Sequence, residues 1–389
     1  MSHHERDQVS PSLSTAERRA VYSDSVDYLL REACPSIQFR VRRELISQSE
    51  KSREMLTLRK QILHDEAVER IRRLQFPGAW IGTRFHTAGA SSNYSTEVAI
   101  RFLCEKGVGG DHPLLTKALG ALRGSDETFA REFFRVGRIL DSKGFGGSYL
   151  IRATLFARAG MQTESFVEEQ VMKTLRVFEA ALGVNSLSDV ADTYRGKFVF
   201  KPNALWPCIY HMRLLAFTSR WRTWSNIRRI ASSIHHILEL APFPPIYVRA
   251  ESQLVSPCGI LTNNLAKMHD PTPRNSRWFE EMELMSRIGV MRKVPELRSK
   301  LEWLTKMLRA SDGKFIGPIS SDDFTKWSAY TGLALEKDWR SEKCRLCDLT
   351  FRSLLVLHYS GFDCLRDVRN HSAMHHLIHT RQRLNRDNT

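Results

Sequence analysis

Ser320-Ser321-Asp322-Asp323 sets two carboxyl groups side by side, a short step ahead of Trp327 and Tyr330. Neighbouring carboxyls disfavour double ionisation, so one of such a pair, if also buried, can keep its proton and act as a general acid. Asp323 is the candidate donor and Asp322 its neighbour. The same four residues also read as an ordinary helix start, where acids are favoured in the first turn.

A second concentration runs from Trp206 to Trp224, with Tyr210, Phe217 and Trp221 between them and His211 beside Tyr210. Aromatic faces attract cations through their quadrupoles, yet aromatics at helical spacing are also ordinary core. The interleaved Arg213, Arg220 and Arg222 suit phosphates or stacked bases equally well. Cys344 and Cys347 form a C-x2-C pair able to share a zinc ion. Adding His358 and Cys364, the nearest further ligands, spreads four groups over 21 positions, and no common zinc spacing results. The pair reads as two thiols, and no metal or cofactor is expected. His371, His375, His376 and His379 belong to a basic tail. Asp189 and Asp192 are too isolated to make a magnesium motif, and no phosphate-binding loop, nucleophile elbow or H-E-x-x-H is present. Asp338, Trp339, Arg340, Asp348 and Arg352 read either as a buried salt-bridged girdle or as a pocket lining.

Composition bounds the rest. The 389 residues are 42% hydrophobic and 26% charged, as in globular chains. No apolar run approaches the roughly 20 residues of a membrane span. The polar start "MSHHERDQVS" has no secretory core, so a cytoplasmic protein is expected. Seven cysteines are too few and odd in number for a disulfide framework. A net charge of +15 suits nucleic acid, an anionic membrane surface or a polyphosphorylated small molecule. The basic residues are scattered among acids through most segments, which equally describes a solvated surface.

These residues must be positioned by helices. Periodic apolar stretches of helical length span 15–33, 53–74, 148–159, 164–183, 203–217, 220–240, 277–290 and 295–309. Pro35 opens a helix after the first of them, Ser95 caps "TEVAIRFLCEKGV", and Asp111 with Pro113 starts "LLTKALGAL". Only "KFVFKP" and "PIYVRA" have the alternation of short strands, and the class expected is all-α. The loops are too short for an interdomain linker. The expected plan is a flexible 1–14, one domain over 15–364 and a basic His-rich helix or tail over 365–389.

Helical hairpins recur at about 40 to 50 residues, the period of repeat architectures. The turn Gly78-Ala79-Trp80-Ile81-Gly82, with His86 and then Ser95-Thr96 before an apolar helix, resembles the glycine-and-tryptophan turn of the squalene cyclase and prenyltransferase repeats. Gly144-Phe145-Gly146-Gly147 and Asp312-Gly313-Lys314-Phe315 echo it. The resemblance implies an α/α toroid of the terpenoid cyclase and prenyltransferase-like superfamily. It implies an apolar cavity for an isoprenoid or another elongated hydrophobic molecule, walled by Trp80, His86, Trp206, Tyr210, His211, Trp327 and Tyr330. The family's Asp-x-Asp-Asp acid motif is absent, and Ser321-Asp322-Asp323 lacks its first Asp. The other reading is a non-catalytic helical-repeat module binding nucleic acid or an acidic protein. That module would gather Arg40, Arg42, Arg43, Arg72, Arg73, Arg220, Arg222, Arg228 and Arg229 on one stripe, whereas a cavity enzyme would keep its interior apolar.

Overall fold

The computed structural model describes residues 14–75, 81–82, 85–86, 95–123, 135–261 and 275–361. Trp80, Cys364 and the basic tail lie outside these residues.

Local rules place the helices close to where periodicity puts them. Ser14 caps α1 (Thr15–Glu32) through a reciprocal bond with Glu17. Pro35 opens α2 (Pro35–Arg40), which continues into a π turn (Val41–Leu45). The single helix expected over 53–74 is two, α3 (Arg53–Leu63) and α4 (Glu66–Arg73). Asp65 interrupts them, because its carboxylate accepts from the Ala67 amide at 2.9 Å and restarts the chain as an N-cap. Ser95 caps α5 (Thr96–Lys106), which Gly107 ends with a left-handed φ of 92°. Then come α6 (Pro113–Arg123), α7 (Arg135–Ser142), α8 (Ser148–Arg158), α9 (Ser165–Ala181) and a single turn, α10 (Leu187–Val190).

A small sheet corrects the all-α expectation. Its order is β1 (Ala191–Tyr194), β2 (Lys197–Phe200), β3 (Ile246–Ala250) and β4 (Gln253–Val255). β2 and β3 are the two alternating segments seen in the sequence, paired parallel. Their antiparallel partners are too short and polar to show alternation. The signal lay in the turns, where Arg195 and Gly196 between β1 and β2, and Glu251 before β4, take positive φ. Asp192 lies in β1, and Asp189 spends its carboxylate on the amides of Asn185 and Ser186.

The chain finishes with α11 (Ile209–Ala216) and α12 (Trp224–Leu240) before β3, then α13 (Ser276–Ile288), α14 (Pro295–Ala310), α15 (Ser321–Thr325) and α16 (Glu342–Tyr359). Helices α5, α8, α11 and α13 are buried along nearly their whole length, and α16 from Cys347 onward. These pack in succession: α2 on α5, α5 on α8, α8 on α11, α11 on α13, α13 on α16, and α16 on α2. Helices α1, α3, α6, α9 and α14 lie against this set, and α12 lies against α9. No described helix is long and apolar enough to cross a membrane.

At the end of the glycine-and-tryptophan segment, Ile81 pairs antiparallel with Gln75, and the Gly82 amide donates to the Leu74 carbonyl at 3.0 Å with φ 71°. Ile81 and Phe85 are fully buried.

Candidate functional site

Glu97, Arg101 and Glu105 recur every four residues on α5, so they share one face over successive turns. That face is buried, and it meets charge from the other central helices at each level.

At the first level the Glu97 carboxylate lies 2.5 Å from His86 Nδ1 through one oxygen, while the other accepts the Tyr210 hydroxyl at 2.5 Å. Arg213 Nη1 stands 3.8 Å away. Burial alone would raise the Glu97 pKa, but His86, Arg213 and Tyr210 hold it below the ordinary value. At the next level the Arg213 guanidinium grips Glu280 through two bonds of 2.9 and 3.0 Å. Arg101 Nη1 stands 3.5 Å from the same carboxylate and its Nη2 donates to the carbonyls of Ser328 and Thr331. Burial works to raise the Glu280 pKa, and Arg213 with Arg101 overcomes it and brings the group to about 2. At the third level Glu105 meets Arg40 at 2.5 Å, Arg352 at 2.7 Å, and Arg158.

The pairing shows the helix directions. The second residue of α5 meets the second of α11, while its tenth meets the last of α2 and of α8. These four helices therefore run the same way, and their first turns share one end of the bundle.

Three aromatic residues expected to line a cavity come together at that end. The rings of His86, Tyr210 and Tyr330 stand 6.1 to 6.5 Å apart in edge-on contacts around Glu97. His211, the next residue of α11, accepts the Cys208 amide on Nδ1 at 3.0 Å, and burial pushes its imidazole down to about 3, so it is neutral. It is also a wall of a pocket of about 400 Å³ shared with Asp141, Phe145, Tyr149, Leu150 and Val177. Gly146 allows this approach, because a Cβ there would sit 2.4 Å from Leu150 and 3.1 Å from the Cys208 sulfur. Burial raises the Asp141 carboxyl to about 6 against the opposing hydrogen bonds of the first amides of α8.

Other expected residues lie elsewhere. Trp206 is core, its indole donating to the Leu261 carbonyl at 2.9 Å and packing on Phe243. Trp327 packs edge-on to Phe102 at 4.8 Å, with the Arg101 guanidinium 5.0 Å over its ring, and faces a separate pocket beside Lys106 and Glu336. Asp322 is 70% exposed and paired with Lys326, and Asp323 belongs to the same short helix, with its carbonyl taken by the Gly332 amide. Cys347 is buried near Tyr28, and Cys344 is half-buried at the start of α16.

The proposed girdle divides. Asp348 is buried and accepts from the Trp339 indole at 2.7 Å, and Arg352 pairs with Glu105 and Glu283. Asp338 and Arg340 pair with each other on the surface, because they precede α16 rather than lie within it. An interior kept apolar was the mark of a cavity enzyme, yet the facing sides of these helices are charged at three levels. The nine arginines named for a stripe do not act alike. Arg40 is interior, Arg222 caps the carbonyls of Leu215, Ala216 and Thr218, and Arg42, Arg72, Arg220 and Arg229 each have a local carboxylate.

Sequence reasoning passed over Glu97, Arg101, Glu105, Glu280 and Glu283. The available signal was that they stand in segments apolar on every other side, so no helix face was left for solvent. Comparisons with family models, with curated proteins and with solved structures find no match.

Proposed function

We propose that the chain is an α/α toroid of the terpenoid cyclase and prenyltransferase-like kind, taking an isoprenoid or another elongated hydrophobic molecule at the end where the central helices begin. The unbroken succession α2, α5, α8, α11, α13, α16 and back to α2 is what a closed ring of inner helices requires, and the shared direction of α2, α5, α8 and α11 suits it.

One observation carries the functional half. Asp141 stands on the wall of a pocket whose other faces include Phe145, Tyr149, Leu150 and Val177. A carboxyl held partly protonated near neutral pH beside apolar and aromatic surface can bind a hydrophobic molecule and give it a proton. Asp141 thus meets the physical requirement sought at Asp323, by burial rather than by a like-charged neighbour. His211 is neutral, and the positive charge on this pocket's wall comes from Arg138 and Lys173.

The test is native mass spectrometry of the purified chain with detergent-solubilised isoprenoid alcohols of increasing length. A stoichiometric complex that is lost when Val177→Trp fills the pocket supports the reading. A chain that retains none of them, or binds equally well with the pocket filled, removes it.

A further inference from the structure

The two ends of the charged interior differ in balance. Near Glu97, the guanidiniums of Arg101 and Arg213 face the carboxylates of Glu97 and Glu280, one for one. At the far end, Arg40, Arg43, Arg158, Arg287 and Arg352 form one connected set of ion pairs whose carboxylates, among the described residues, are Glu44, Glu105 and Glu283. Asp348 is engaged by Trp339 and by the amides of Leu335 and Glu336, and counting it still leaves positive charge in excess. Tyr359 donates to Glu44 at 2.8 Å, and burial keeps the phenol protonated. An excess that water reaches only at the partly exposed Arg43 is costly unless an anion meets it.

Space for one is present. A cavity of about 320 Å³ opens among Arg40, Arg43, Arg158 and Arg287, with Glu44 and Glu105 also on its wall beside Cys104 and Tyr359. That volume lies at the low end for ligand sites, suited to a compact group rather than a polymer. Burial, with Arg101 adding repulsion, brings the Arg158 guanidinium down to about 9, while against burial Glu44 and Glu283 help to hold Arg40 and Arg287 above the ordinary value.

We propose that this cavity is an oxyanion site that binds a single phosphate group. Guanidinium forks match phosphate oxygens in pairs, and one doubly charged group meets the two charges by which the four guanidiniums of the cavity wall exceed its two carboxylates. The site stands at the opposite end of the central helices from Asp141 and does not depend on the isoprenoid reading.

The experiment is thermal unfolding of the full chain in inorganic phosphate against sodium chloride of equal ionic strength, with glycerol 1-phosphate as a second arm. Iodoacetamide labelling of Cys104, read by peptide mass spectrometry, runs alongside. A saturable rise in melting temperature with phosphate above the chloride control, together with slower labelling of Cys104 but not of Cys344, is expected. Arg43, the most exposed guanidinium of the set with 31% of its side chain accessible, is the one to vary. Arg43→Gln should keep its melting temperature in chloride and need roughly tenfold more phosphate for the same rise. A stronger response to glycerol 1-phosphate than to phosphate identifies a phosphate ester as the ligand, and the reverse identifies the free ion. No rise above chloride in the wild-type chain, or a rise unchanged in Arg43→Gln without protection of Cys104, overturns the proposal.

Discussion

The Tyr210 hydroxyl donates to Glu97 at 2.5 Å and so joins the second residue of α11 to the second residue of α5, 113 positions away in the chain. Both groups are almost completely buried, at 1% exposure each, so the bond cannot be exchanged for water. Tyr210→Phe keeps the ring and removes the donor. It should cost ~1–3 kcal/mol in urea unfolding, because a buried carboxylate loses one of its partners. A cost indistinguishable from zero would show that water reaches Glu97.

Arg213 and Glu280 give a sharper contrast. Arg213→Met leaves Glu280 buried with only Arg101 beside it, and should destabilise by ~3–5 kcal/mol. Arg213→Met combined with Glu280→Leu removes both charges, and should recover a large part of that loss. The acid limb adds a sign. The folded Glu280 pKa of about 2 lies below its ordinary 4.5, so its contribution is present above pH 4.5 and is lost as pH falls toward 2. Equilibrium unfolding of Arg213→Met should therefore vary less with pH across that window than the wild-type chain does.

Asp141 works in the opposite sense. Its folded pKa of about 6 lies above the ordinary 3.8, so protonation favours the folded state, and its contribution is full below pH 3.8 and fades as pH rises through 6. Asp141→Asn imitates the protonated acid and can still accept from the Ser148 amide. Relative to wild type it should gain stability between pH 4 and 7, on the order of 2 kcal/mol at the upper end. Melting curves at half-unit pH steps would read this directly, and parallel curves would place the carboxyl in water.

Gly332 is held at φ 90°, and a Cβ there would stand 2.6 Å from the Trp327 Cα. Gly332→Ala combines backbone strain with that overlap, and should cost ~1–3 kcal/mol by chemical denaturation. A neutral result would mean that the loop after α15 moves freely.

Asp322→Asn removes an exposed partner of Lys326. Its melting point should stay near that of wild type, an effect within about 0.5 kcal/mol. Retention of a bound isoprenoid by Asp322→Asn but not by the pocket-filled chain would separate the two aspartate regions.

The helices were legible in the sequence because their ends are set by contacts a few residues long. Ser95 meets the Val98 amide, Thr223 the Asn226 amide, and Asn275 the Trp278 amide. Each bond forms whatever lies beyond the helix. β2 and β3 were legible for a similar reason, since their alternation is local. Their partners β1 and β4 show no such alternation, and pairing gives them their strand form.

The candidate site was legible only in part. His86, Tyr210, His211 and Tyr330 stood out as rings and imidazoles in apolar surroundings, and they do gather at one end of the bundle. Only the apolar run around it separates Glu97 from Glu66, and nothing local separates Arg40 from Arg42, because the same side chains serve a solvated face and a buried pair. Whether a charge is solvated depends on which helices cover it. The sequence by itself determined most of the helices and their caps and pointed to His86, Tyr210, His211 and Tyr330, but not to Asp141 or Glu97. The tertiary structure alone decided which charges lost their water, and desolvation is what brings Asp141 to about 6 and His211 to about 3.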